Sequence, residues 1–79
     1  MEKYLFVIPL SGGKEVSGVF LHPASGLYMT AIEVISAAAA EYPDEIITRC
    51  DVWKRTDHHT LSLVVTAYAM KPEEEFCAL

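Results

Sequence analysis

Apolar residues recur along this chain in two rhythms. Across residues 30–42, Ile32, Ile35, Ala39 and Tyr42 return every three or four positions. That spacing lines one face of an α-helix. Ala37 to Ala40 add a run of the best helix former. Thr30 and Glu33 have the spacing of a capping box, with Met29 and Val34 placed for a hydrophobic staple. Ser25 offers an earlier start, and Pro43 pushes Tyr42 out of the helical region and ends the segment.

Elsewhere the rhythm is two. In residues 4–10, Tyr4, Phe6, Ile8 and Leu10 alternate with Leu5 and Val7, so both faces are apolar, as in a strand covered on two sides. Pro9 has no N–H to give a ladder and should weaken pairing there. Ser11-Gly12-Gly13-Lys14 reads as a turn, and residues 15–22 return as a second strand, with Gly18 marking a bulge. Residues 45–54 read as a third strand. Ile46, Thr48, Cys50 and Val52 face a core, and Ile47, Arg49, Asp51 and Trp53 face away. Residues 60–70 admit two readings. Leu61, Leu63, Val65, Ala67 and Ala69 alternate like a strand, while Leu61, Val64, Val65 and Tyr68 fit a helical stripe; the Val-Val-Thr centre favours the strand.

The expectation is an α+β two-layer sandwich of order ββαββ: a four-stranded, largely antiparallel sheet with one helix packed on one face. Residues 1–70 form the single domain, and 71–79 an acidic tail. One helix covers one face only. The other face carries Leu5 and Val7, or else Tyr4, Phe6 and Ile8, with Ile47, Trp53, Val64, Tyr68 and Met70. That exceeds the few hundred Å² of contiguous apolar surface a monomer usually shows. The surplus predicts that this face packs on a second copy of the chain, as a homodimer, or on a partner protein.

Composition narrows the function. Eleven acidic residues against six basic ones give a net charge of −5. This disfavours nucleic acid, whose phosphates are met by clustered Lys and Arg. It suits a partner with a basic surface. No apolar run approaches the ~20 residues of a membrane helix. Two cysteines are too few for a disulfide framework, and a Cys50–Cys77 bridge is not expected in the reducing cytoplasm where the composition places the chain.

Candidate chemistry is sparse. Asp57-His58-His59 could offer metal ligands, but neighbours in an extended chain point to opposite sides, and a third ligand would have to come from His22 or Cys77. A solvated turn is the stronger reading. Cys50 alternates onto the core face as a small hydrophobe. Three glutamates precede Cys77, which makes its thiol less nucleophilic. Glu33, Glu41, Asp44 and Glu45 lack a pocket that would tune a pKa. Gly12-Gly13-Lys14 lacks the spacing and following helix of a phosphate loop. The most informative surface feature is Trp53-Lys54-Arg55 with Arg49. In a strand, Arg49, Trp53 and Arg55 share a side, and Trp and Arg are enriched at binding hot spots. Tyr68 joins them as an aromatic of the same helix-free face. The candidate binding residues are therefore Arg49, Trp53, Lys54, Arg55 and Tyr68, with no catalytic residue, metal or cofactor.

Residues 26–46, opening Gly26-Leu27, resemble the first helix of the HPr phosphocarriers, and Ser62-Leu63 can be matched to the start of that family's second helix. Where the family carries its phosphorylated histidine this chain has Tyr28, and its arginine and proline become Thr30 and Ala31. The resemblance implies, at most, a phosphocarrier-derived regulatory protein without the phosphorylatable histidine. The order ββα followed by strands also resembles the β-grasp of ubiquitin-like domains, without their Gly-Gly tail. Neither resemblance is adopted. Three functions remain: a non-enzymatic protein-binding module (an adaptor, regulatory subunit or inhibitor), a small enzyme or carrier using His22, His58 or His59, and a self-associating structural subunit.

Overall fold

A computed structural model of the chain describes residues 1–69. Four strands form one antiparallel sheet: β1 (Glu2–Pro9), β2 (Glu15–His22), β3 (Arg49–Arg55) and β4 (Leu61–Tyr68). Their spatial order is β2-β1-β3-β4, and one helix, α1 (Leu27–Glu41), lies between β2 and β3 in sequence. This is the α+β, ββαββ arrangement that the pattern predicts. The last segment is a strand. Ser62 and Leu63, which the phosphocarrier resemblance would place at the start of a helix, lie inside β4. Met70 and the acidic tail, with Cys77, fall outside the described residues.

β1 and β2 form a hairpin closed by the 3-10 turn Ser11–Gly13. The Leu10 N–H donates to the Lys14 carbonyl at 2.8 Å. Gly12 and Gly13 have φ of 71° and 77°, a region glycine enters at no cost. The ladder runs without a break from Glu2 opposite His22 to Pro9 opposite Glu15, so Gly18 is not a bulge. Gly18 is required for another reason: it faces Phe6 across the ladder, and the Phe6 ring lies over its bare Cα. The irregularity sits in β4 instead. Val52 pairs with Val65 and Trp53 with Leu63, which leaves Val64 as an extra residue.

The helix begins earlier than the spacing suggests. Gly26, with φ of 78°, occupies the N-cap and supplies no side-chain cap. Thr30 therefore lies in the first turn, where its hydroxyl turns to His22 Nε2 at 2.7 Å rather than capping. The buried stripe is Leu27, Ala31, Ile35 and Ala38, shifted from the predicted Ile32, Ile35, Ala39 and Tyr42. Starting the helix at Leu27 rotates the face that meets the sheet, and small Ala31 and Ala38 let the backbone come close. The helix packs over β3 and β4, where Cys50, Val52 and Ala67 are fully buried. Over β1 and β2 the same face is closed by Tyr4, Phe6, Phe20 and His22. Phe20 lies 5.8 Å from Tyr4, 6.3 Å from Phe6 and 6.2 Å from His22 between ring centroids. Offset and edge-on contacts of this kind suit aromatic quadrupoles.

The third strand starts at Arg49 rather than at residue 45. The segment before it does not keep strand period: Ile46 is 77% exposed and Ile47 is buried in the core, the reverse of the expectation. Ile47 therefore does not contribute to the helix-free face. Glu45 holds this segment to the hairpin turn, its Oε1 accepting the Ser11 N–H at 3.2 Å and the Ser11 hydroxyl at 2.9 Å. Those two bonds hold its carboxyl below the ordinary value. Among the described residues no helix is long and apolar enough to cross a membrane.

Candidate functional site

The face of the sheet away from α1 can be read row by row from the strand register. At one end Leu21 lies opposite Lys3 and Arg55 opposite Leu61. The β1–β3 register, set by Tyr4 opposite Lys54 and carried one residue outward, puts Lys3 beside Arg55. The next row is Val19, Leu5, Trp53 and Leu63, apolar across all four strands, with the extra Val64 beside it. The third row is Ser17, Val7, Asp51 and Thr66. The last brings Glu15 and Pro9 alongside Arg49 and Tyr68.

The exposed aliphatic residues of this face are concentrated at one end. Val19 and Leu21 are 62% and 61% exposed, and Leu63 is 51% exposed. All three belong to the two rows at the Lys3–Arg55 end. The other half of the face is largely polar and internally satisfied. Asp51 accepts the Thr66 hydroxyl at 2.8 Å and the Arg49 Nε–H at 3.3 Å.

The chain matches no family model, no curated protein and no solved structure.

At the apolar end lies an open depression of about 960 Å³. Trp53, Leu5, Val19 and Leu61 contribute apolar walls, and Lys3, Arg55, Asp57 and His58 reach its rim. Of the predicted binding residues, Trp53 and Arg55 meet here. Lys54 also borders the depression, but it alternates onto the helix-bearing side opposite Tyr4 and is tied to Glu2 at 2.8 Å. Their hydrogen bond lowers the carboxyl pKa of Glu2 and raises the amine pKa of Lys54. Arg49 and Tyr68 stand opposite each other at the far end of the same face, away from the depression.

Lys3, Leu5, Val19 and Leu61 complete the depression and are not among the predicted binding residues. The alternation of β1 and β2 signals Leu5, Val19 and Leu21. Placing Lys3 next to Arg55 requires the β1–β3 pairing, which joins strands far apart in sequence.

The histidines do not converge. His22 is half-buried on the helix-bearing face. Its Nδ1 donates to the Pro23 carbonyl at 2.8 Å, and its Nε2 accepts the Thr30 hydroxyl at 2.7 Å. His58 and His59 lie in the β3–β4 turn, where the His59 N–H donates to the Asp57 Oδ1 at 2.8 Å. That bond, with further ones from Thr60, lowers the Asp57 pKa, and the carboxylate is occupied in holding the turn. Among the described residues no three His, Cys, Asp or Glu side chains come together as a metal site. Cys50 is fully buried, and desolvation, with the Asp51 charge, pushes its thiol up to about 11.

Proposed function

We propose that this chain is a non-catalytic protein-binding module that works through the helix-free face of its sheet. Such a domain serves as an adaptor, a regulatory subunit or an inhibitor. The observation that carries the reading is the row Val19, Leu5, Trp53 and Leu63, which crosses all four strands without a polar side chain on a face no other element covers among the described residues. Exposed apolar patches rimmed by polar residues are a recurring mark of interaction surfaces. Trp53 and Arg55 add the residue types that dominate binding energy when they are desolvated. The occupant is a protein surface, whether a second copy of the chain or another protein.

Light scattering across a dilution series, from high to low micromolar, measures self-association directly. The decisive variant is Leu63→Asp. The side chain is half exposed, so the isolated domain should stay folded, with a stability change of about 1 kcal/mol or less. Any association of the parent chain should disappear. An association untouched by Leu63→Asp and by Val19→Asp would place the working surface elsewhere.

A further inference from the structure

The geometry points to the occupant: an acidic, apolar segment of a partner protein, with carboxylates set between aliphatic or aromatic side chains, lying across the Lys3–Arg55 end of the face. The inference rests on the binding reading above and names the chemistry of its partner.

Two like charges directly opposite on adjacent strands are unfavourable in an isolated sheet. Lys3 and Arg55 are so placed, and neither forms an ion pair among the described residues. The other cations of β3 are neutralised locally, Arg49 by Asp51 and Lys54 by Glu2. The unneutralised pair is bracketed by Leu21 and Leu61 in its own row and backed by the Trp53 row. An anion delivered there meets two donors over a low-polarity floor, where charge-assisted hydrogen bonds are stronger than in open water. Arg55 can also grip a carboxylate in two-point fashion.

The dimensions of the patch suit an extended segment. Four strands at ~4.8 Å spacing make the row roughly 19 Å wide, and two rows of same-side residues span roughly 13 Å along the strands. An extended segment of about six residues crosses that width.

A second copy laid on with strand directions matched would put the cation row on the cation row. Nucleic acid is a weaker fit still, because two free cations on a chain of net charge −5 cannot neutralise a run of phosphates.

Trp53 is the single tryptophan of the chain, so its fluorescence reports occupancy of the depression without a label. The experiment titrates the protein with three blocked peptides, alternating leucine with glutamate, glutamine or lysine. The glutamate peptide should shift Trp53 emission saturably and bind about tenfold more tightly than the glutamine peptide. Lys3→Gln with Arg55→Gln should erase that difference. Lys3→Glu with Arg55→Glu should transfer the preference to the lysine peptide. Equal binding of all three peptides would overturn the proposal and leave the binding surface standing. No response to any peptide, in a chain whose self-association is lost with Leu63→Asp, would overturn it in favour of a second copy. No response and no association would remove both readings.

Discussion

Gly18→Ala isolates a contact that the sequence does not announce. Glycine inside a strand normally costs ~0.5–1 kcal/mol relative to alanine, because its unfolded state has more freedom to lose. On that ground the substitution should stabilise. The structure predicts the opposite sign. A Cβ at Gly18 would lie 2.7 Å from Cε1 of Phe6 and 2.9 Å from its Cζ. The ring must turn or lift, and one side is occupied by Phe20, 6.3 Å away between centroids. Overpacking of this kind costs ~1–3 kcal/mol. Set against the entropic gain, the net loss is about 1 kcal/mol, which for a domain of this size is a drop of ~4–8 °C in Tm. Thermal unfolding of Gly18→Ala, Phe6→Leu and the double variant makes the test sharper. Phe6→Leu removes both clashing atoms, so the pair should couple by about 1 kcal/mol. A Gly18→Ala protein that melts above the parent, or a cycle additive within ~0.3 kcal/mol, would refute the argument.

Three other outcomes follow from particular residues. Gly26→Ala should cost about 1–2 kcal/mol by urea unfolding; its nearest contact would be an ordinary 3.7 Å to His22, so the loss comes from the left-handed backbone, and Gly26→Asn should recover part of it. Cys50, in a Cys77→Ser background, should resist a thiol reagent at about pH 8 until denaturant is added, because burial holds the thiol near 11; rapid labelling of the native protein would contradict its placement. Glu45 has a carboxyl held below its ordinary value in the folded state, so its bonds to Ser11 stabilise above the ordinary carboxylate range and are lost as pH falls through the lowered value; Tm measured from about pH 6 to about pH 3 should fall less steeply in Glu45→Gln than in the parent.

The strands were legible where local chemistry fixes them. Alternation in β1 and β2 and the Gly12-Gly13 turn specify the hairpin without help from the rest of the chain. The helix interior was legible for the same reason. Its start was not, because Thr30 and Glu33 imitate a cap while Gly26, with no side chain to signal a cap, makes the real one. The ambiguity of the last segment has a physical source as well. The bulge at Val64 puts two successive apolar residues on one side, which breaks the alternation and lends the sequence a helical look. Ile46 and Ile47 exchanged places because the chain between α1 and β3 is irregular there, so period two had nothing to act on. The candidate site was half legible. Trp53 and Arg55 follow from residue type and strand period. Lys3 does not, since its neighbour across the sheet is fifty-two positions away and only the β1–β3 pairing reveals it.

Charge carries a further lesson about reading partners from composition. A net charge of −5 suggests a basic partner, and over long distances that holds. At physiological ionic strength, however, charges are screened beyond ~8 Å. Glu33, Glu41 and Asp44 are exposed on the helix layer and the loop after it, on the other side of the sheet from the depression. A group seated beside Trp53 is separated from them by the thickness of the sheet and the helix, while Lys3 and Arg55 are in contact. Lys3 and Arg55 thus stand where the apolar surface is, beside Glu2, which is tied to Lys54, and Asp57, whose carboxylate is held in the turn. On the proposed reading, contact affinity at the apolar rows is set by the two nearby cations, where charge and desolvation are available together. The acidic excess acts on approach, opposing an acidic partner most at low salt and least near physiological salt. Net charge describes the encounter; the row in which a charge sits describes the bound state.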